Sequence, residues 1–177
     1  MKIPPVKLPI ITSDGIFLAH YSEEGLSGLN FPQAGSVRRA DRTPPRGVPA
    51  KIAKWHHVTE SALKKILAGG EPKEFPPLDL DGTEFQKSVW HALRKISLGK
   101  TKSYGEIAAA IGRPKAVRAV GGACGVNPVP VLVPCHRVLA ANKKLGGFSG
   151  GLDWKRSLLK REGIILRSSA HIENAEV

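Results

Sequence analysis

Hydrophobic and polar positions follow a strand-like pattern near the start of the chain. Between Thr12 and Phe31, two apolar stretches at 16–21 and 26–31 flank a polar, glycine-containing segment at 22–25. Short apolar stretches joined by such a turn are typical of a β-hairpin. We therefore expect the fold to begin with two antiparallel strands.

A helical pattern follows. Large apolar side chains recur every three or four residues from about Val48 to Leu67, and Gly69-Gly70 provides a stop signal. Residues 32–50 hold four prolines and four arginines with few large apolar groups, which predicts an extended loop.

The segment from Glu71 to Asp81 reads as a linker because it carries prolines at 72, 76 and 77. It predicts a boundary between a smaller β-containing domain at 1–80 and a helical domain at 81–177.

Two capping boxes mark helix starts in the second part. Thr83 with Gln86, and Ser103 with Glu106, have the spacing at which side chains satisfy the free N–H groups of a helix start. Gly112-Arg113-Pro114 ends the second helix, and a third is expected from about residue 115 to 124. Two helices joined by a short glycine-containing turn are the outline of a helix-turn-helix.

The third helix consists mostly of small residues, which allow its backbone to approach another surface closely. That surface could be a neighbouring helix or a DNA groove. The small residues are Ala116, Ala119, Gly121, Gly122 and Ala123.

The net charge of the chain indicates which kind of binding partner is expected. The net charge is +12, of which residues 1–80 contribute +3 and residues 81–177 contribute +9. Such an excess favours a polyanion such as nucleic acid, which would bind the second part, although a general solubility charge explains the number equally well.

Two cysteines, Cys124 and Cys135, are too few for a disulfide framework or a cysteine-based zinc site. Cys124 is expected to be a small buried hydrophobe. The first twenty residues contain no continuous apolar run, so we expect neither a signal peptide nor a membrane span, and hence a cytoplasmic protein, or a nuclear one in a eukaryote.

Cys135 is followed directly by His136, and the apolar, proline-rich segment at 127–134, which we expect to be buried and extended, leads into the pair. A thiol is nucleophilic as the thiolate, and an imidazole can accept its proton if the geometry allows. Neighbours in sequence do not necessarily meet, so the pair alone does not decide between catalysis and coincidence.

The surrounding motifs identify a family. The chain contains Pro-Cys-His-Arg-Val at 134–138, with the cysteine eight residues after Asn127, and then Gly-Gly-Phe-Ser-Gly-Gly-Leu at 146–152. These motifs and their spacing resemble the active-site region of O6-alkylguanine-DNA alkyltransferases. Gly-Thr-Glu-Phe-Gln at 82–86, Ser-Tyr-Gly-Glu-Ile-Ala at 103–108 and the stretch 113–122 resemble the same family in the same order. The resemblance runs from about Gly82 to Gly163.

The resemblance implies an α+β fold, with a small ribonuclease-H-like N-terminal sheet domain and a C-terminal helical domain holding a helix-turn-helix and an active-site cysteine loop. It implies irreversible, single-turnover transfer of an alkyl group from O6-alkylguanine, and also from O4-alkylthymine, in double-stranded DNA. It further implies a monomer that needs no cofactor.

Five residues match the family's catalytic positions. Cys135 resembles the alkyl acceptor, His136 the base that takes the thiol proton through a water, and Glu162 the carboxylate that orients the imidazole. Tyr104 resembles the phenol that supplies a proton as guanine leaves. Asn127 resembles the hinge that ties the recognition helix to the cysteine loop.

Further matches concern substrate and DNA. The substrate-pocket positions correspond to Pro130, Val138, Gly146, Phe148 and Ser149. Phe148 stands where the family often has tyrosine, which puts the substrate range and rate in question rather than the reaction.

Arg118 resembles the arginine that enters the duplex in place of the flipped nucleotide, with the small-residue helix in the minor groove. Arg113, Ser103 and Gln86 are candidates for contacts with the DNA backbone.

Some relatives carry zinc in the first domain, but no cysteine precedes residue 124 here, so no metal is expected. Two other functions are considered. A non-catalytic sensor of alkylated DNA lacks the motif cysteine, which is present as Cys135, and a helix-turn-helix regulator needs base-reading side chains that the third helix largely lacks.

Overall fold

A computed structural model describes residues 6–33, 47–166 and 172–173. The chain begins with an antiparallel sheet in the order β1-β2-β3, and its strands are β1 Val6–Thr12, β2 Gly15–Tyr21 and β3 Leu26–Asn30. The predicted hairpin is β2 and β3. The first strand was not predicted, because Pro9 interrupts its pattern; an edge strand tolerates proline, which lacks the N–H that a central strand needs.

Helix α1 spans Ala50–Leu67 and confirms the predicted helix to within two residues. It ends before Gly69, whose positive φ of 77° suits glycine. The loop predicted at 32–50 falls largely on residues 34–46, which lie outside the described residues.

Three further helices follow: α2 Glu84–Leu93, α3 Tyr104–Ala110 and α4 Val117–Gly125, of which α3 and α4 are the two predicted for the helix-turn-helix. Both capping boxes are present, with Thr83 and Ser103 as N-caps. Helix α2 ends at Leu93, and Ile96 is buried in the segment that follows the helix.

Two short strands, β4 Lys102–Ser103 and β5 Val138–Leu139, pair in parallel and bring the start of α3 beside the cysteine loop. Helix α5 then spans Leu152–Arg161, and β6 Ile165–Leu166 pairs with β7 Ile172–Glu173.

The segment 127–134 is buried almost throughout, as predicted, but it is not extended. It consists of turns and an isolated bridge between Pro130 and Val133, and Val131 has a positive φ of 76°. A β-branched residue rarely adopts that conformation, so tertiary contacts must hold it.

One buried cluster contains side chains from β1–β3, α1, α2, α4 and the cysteine loop. The linker also joins the sheet, because Leu26 N–H donates to Pro77 O at 2.8 Å and Asp79 N–H to Leu26 O at 2.9 Å. The domain boundary at 80/81 stays a prediction. Within the three described ranges, no helix is both long and apolar enough to cross a lipid bilayer.

Candidate active site

Cys135 begins a single 3-10 turn, Cys135–Arg137, and is 3% exposed. The Asn127 amide, two residues after the end of α4, donates to Val133 O at 2.8 Å and to the Cys135 sulfur at 3.1 Å. Its carbonyl oxygen accepts from Val129 N–H at 3.1 Å. One side chain therefore links the end of α4, the cysteine loop and the sulfur.

His136 and Glu162 meet inside the protein. His136 Nε2 lies 2.8 Å from Glu162 Oε1, and both side chains are almost completely buried. Arg137 Nε lies 2.9 Å from Glu162 Oε2, and Arg137 Nη2 donates to Oε1 at 3.0 Å. The same guanidinium donates from Nη1 to Ile96 O at 2.6 Å, which connects this pair to the segment that follows α2.

These contacts define the charge state of the pair. Burial raises the pKa of Glu162, but hydrogen bonds and charges from His136 and Arg137 outweigh burial and hold that pKa below its ordinary value. Burial lowers the pKa of His136, and the charges of Arg137 and Lys155 lower it further; together they outweigh the effect of Glu162, which raises it, so the imidazole is neutral at pH 7.

The tautomer follows from the same geometry. A carboxylate only accepts hydrogen bonds, so Nε2 carries the ring proton and donates it to Glu162. His136 Nδ1 is then the basic nitrogen, and it is buried without a hydrogen-bond partner among the described residues.

The Cys135 thiol does not ionise readily at rest. Burial raises its pKa, and the Asn127 N–H, the Lys155 charge and the backbone N–H groups of Cys135 and His136 lower it only part of the way back. A base is therefore needed to generate the thiolate at neutral pH.

Lys155 is a buried charge that the sequence did not single out. Its side chain lies on α5 with no exposed surface, and Nζ donates to Val138 O at 2.7 Å, to Leu145 O and to Gly147 O at 3.3 Å. Burial lowers its pKa to about 8. Lys155 thus holds the backbone on both sides of Gly146.

Arg137 was also missed as a site residue, although it stands within the Pro-Cys-His-Arg-Val motif. Its position in that motif was a signal, whereas nothing local distinguishes Lys155 from Lys160, the other lysine of α5.

Tyr104 is half-buried at the start of α3. A Cβ placed on Gly146 would lie 3.0 Å from the phenol oxygen, so glycine permits this close approach, and its φ of 65° favours glycine as well. Burial raises the pKa of Tyr104, so the phenol keeps its proton.

The predicted substrate-pocket residues divide into two groups. Val138 and Pro130 are buried, whereas Gly146 and Phe148 are partly exposed and Ser149 is exposed. Phe148 packs edge-on against His136, with ring centroids 6.4 Å apart, and against Phe31 at 5.6 Å. A cavity of about 390 Å³ has Pro130, Ser149 and Phe31 in its wall.

The predicted DNA contacts lie outside this cluster. Arg118 is exposed on the first turn of α4, and Arg113 is exposed on the turn before it. The side chains of Ser103 and Gln86 are occupied as capping groups.

Sequence comparisons identify relatives of this chain. The model of the family "6-O-methylguanine DNA methyltransferase, DNA binding domain" matches residues 84–164. A methylated-DNA–protein-cysteine methyltransferase from Methanosarcina acetivorans is 45% identical over 152 residues, which cover 84% of this chain and 92% of the relative. Its counterpart from Haemophilus influenzae is 53% identical over 120 residues, covering 63% of this chain and 67% of the relative.

Solved structures give the same answer. The crystal structure of Mycobacterium tuberculosis O6-methylguanine methyltransferase superposes with a TM-score of 0.67 at 37% identity, covering 89% of this chain and 92% of that one. The structure of M. tuberculosis OGT in complex with DNA has a TM-score of 0.67 at 38% identity, with coverages of 88% and 91%. These similarities extend over both the N-terminal sheet and the helical part, and the chain therefore belongs to the 6-O-methylguanine DNA methyltransferase family.

Proposed function

We propose that this protein repairs alkylated DNA by transferring the alkyl group of O6-alkylguanine to the sulfur of Cys135. The observation that carries the proposal is a buried thiol, held by Asn127, next in sequence to a buried imidazole whose Nε2 is hydrogen-bonded to a carboxylate. Nucleophile, base and orienting group are the parts that nucleophilic catalysis requires.

The thiol proton passes to His136 Nδ1 through a bridging water. Glu162 stabilises the imidazolium that forms, and Arg137 keeps Glu162 ionised. The thiolate attacks the alkyl carbon, a carbon–sulfur bond forms, and the bond from that carbon to guanine O6 breaks.

Tyr104 supplies the proton that the departing guanine needs. Its raised pKa suits a group that must still be protonated when negative charge develops on the base. The product is a thioether, whose carbon–sulfur bond does not break under these conditions, so each molecule reacts once.

The substrate base must leave the duplex to reach a nearly inaccessible sulfur. We propose that α4 lies in the minor groove, that Arg118 fills the space of the extruded nucleotide, and that Arg113 contacts the DNA backbone.

O4-alkylthymine is a second substrate. One copy of the chain suffices, because all the named residues come from one chain, and the reduced thiol suits the cytoplasm, or the nucleus of a eukaryote.

The test is the intact mass of the protein after incubation with a duplex that contains one O6-methylguanine, followed by peptide mapping. We expect one methyl group per protein, located on Cys135, and a repaired guanine in the duplex. Binding without a gain in mass would instead indicate a damage sensor.

Two cysteine variants sharpen the result. Cys135→Ala should gain no methyl group while it still binds the lesion. Cys124→Ala removes the other buried thiol and should gain the methyl group like the wild type. Methylation that persists in Cys135→Ala would refute the assigned acceptor.

A further inference from the structure

The N-terminal part of the chain contacts the end of α5 immediately before Glu162. Arg161 Nη1 donates to Asp14 Oδ2 at 2.8 Å, and Arg161 Nη2 donates to Asp14 Oδ1 at 2.6 Å. Asp14 lies in the turn between β1 and β2. The two residues are 147 positions apart, so this bidentate pair joins distant parts of the sequence.

The end of α1 contacts the same arginine. Arg161 Nη1 also donates to Leu67 O, the last residue of α1, at 2.9 Å. A Cβ on Gly69 would lie 2.2 Å from the Arg161 carbonyl oxygen, so the backbones of the two helix ends are packed without space for a side chain.

Partial burial strengthens this contact. The side chains of Arg161 and Asp14 are 29% and 19% exposed, and the Arg161 hydrogen bonds are the main reason why the pKa of Asp14 is lowered. A two-point, partly buried pair resists the conformational averaging that weakens single exposed ion pairs.

We propose that Asp14 and Arg161 are positioning residues that set the place of Glu162 relative to His136. This inference rests on the proposed function, because it assigns the pair a part in activating Cys135. Glu162 is the C-cap residue of α5: its N–H still donates to Leu158 O and Leu159 O at 3.1 Å, but no further helical turn follows it to hold it from the other side. The contacts from Asp14, Leu67 and Gly69 supply that constraint from outside the helix.

The proposal gives the N-terminal sheet a role in the chemistry although it contributes no group to the thiol, imidazole or carboxylate. Glu162 raises the pKa of His136 against the effect of burial. If Glu162 moves away, the pKa of His136 falls further and the imidazole becomes a weaker base. The acid limb of the rate profile should then move to lower pH while the plateau rate decreases.

The experiment measures single-turnover methyl transfer against pH for Asp14→Asn, Arg161→Met and the double variant. Asp14→Asn preserves the backbone N–H bond to Thr12 that shapes the turn. We expect each variant to transfer about tenfold more slowly on the plateau, less than the ~100-fold that a misplacement of 1 Å can cause. The double variant should lose little more than Arg161→Met alone, because Arg161→Met already removes the contact with Asp14 together with the hydrogen bond to Leu67 O.

A spectroscopic readout tests the same idea without turnover. The proton on His136 Nε2, assigned by comparison with His136→Gln, should shift upfield in the variants as its bond to Glu162 lengthens. Asp153→Asn is the matched control, since it breaks an exposed ion pair with Arg156 on the same helix and should change neither readout.

The outcomes separate the possibilities. Variants that are merely less stable, with the plateau rate, the acid limb and the His136 proton signal of the wild type, would overturn the positioning role. If the wild type transferred no methyl group, the proposed function would fail, and the proton signal would still decide whether the pair positions Glu162.

Discussion

At the scale of single residues, two buried cations organise the site. Arg137 neutralises the carboxylate that holds His136, and Lys155 donates to the carbonyl of Val138 and to those on both sides of Gly146. A buried charge is costly unless it is paired or fully hydrogen-bonded, so both side chains have their partners supplied by the fold. The precision of the site therefore depends on charged groups that do not react.

Replacing Lys155 by methionine should damage both stability and activity. The substitution leaves buried carbonyl oxygens without their donor, and an unsatisfied buried acceptor costs about 1–3 kcal/mol. We expect the free energy of unfolding to fall by roughly 2 kcal/mol in urea titrations, after relief of the buried charge offsets part of the loss. The transfer rate should fall about tenfold or more, equivalent to about 1.4 kcal/mol, because the backbone around Gly146 shifts under Tyr104.

Lys160→Met provides the comparison for that variant. Lys160 is exposed on the same helix, and its replacement should leave both quantities near those of the wild type. A Lys155→Met protein that transferred methyl groups at the normal rate would contradict the role given to Lys155.

At the scale of elements, α4 combines a buried face with an exposed face that, after Arg118 in the first turn, carries only the small residues Ala119, Gly122 and Gly125. Val120, Ala123 and Cys124 are buried, as expected of Cys124, and Trp90 Nε1 donates to Ala123 O at 2.9 Å. On the exposed face, a Cβ on Gly122 would meet nothing within 4 Å. Packing inside the protein thus does not require glycine at position 122. A glycine there is needed only if an external surface approaches the helix backbone closely.

A bulky residue at 122 should separate stability from DNA binding. Gly122→Leu should raise the free energy of unfolding by about 0.5–1 kcal/mol, because leucine is the better helix former. It should weaken binding to duplex DNA about tenfold or more if α4 enters the minor groove. Fluorescence anisotropy at one fixed salt concentration measures the binding.

Ala53→Leu adds similar bulk to the exposed face of α1 and should not change DNA affinity. Unchanged binding by Gly122→Leu as well would argue against α4 as the DNA-contacting element.

At the scale of the whole molecule, charge is distributed so that the helical part carries most of the excess. Residues 81–177 carry a net charge of +9 and residues 1–80 a net charge of +3, so the part of the chain that holds Cys135 attracts a polyanion more strongly. Arg118 lies exposed on the first turn of α4, and Arg113 lies exposed on the turn before that helix. DNA affinity should therefore fall steeply with salt.

The salt dependence provides a test of Arg118. If its guanidinium displaces counterions from the duplex, Arg118→Ala should reduce the slope of log K against log salt by about 0.9. Repair should slow more than binding weakens, because the variant no longer occupies the space of the extruded nucleotide. Lys54→Ala, an exposed change on α1, should leave the slope unaltered, and undiminished repair by Arg118→Ala would refute its role in extrusion.

Features that depend on near neighbours could be predicted from the sequence. The capping boxes at Thr83 and Ser103, the stop at Gly69 and the β2–β3 hairpin are each encoded within a few positions, and the structure contains all of them. The family also follows from short motifs around Cys135. Strand β1 was missed because of Pro9. The strand tolerates this proline only because it lies at the edge of the sheet, and that position is a property of the assembled sheet.

Other features exist only because the chain closes on itself. The bond between His136 and Glu162 spans 26 residues, Lys155 reaches back to Val138, and Asp14 meets Arg161 across 147 residues. No local periodicity encodes such pairs, because their distances result from packing all the elements into one core. The sequence by itself determined which groups can react and where most elements begin and end, whereas the tertiary structure decided which buried charges hold those groups in place.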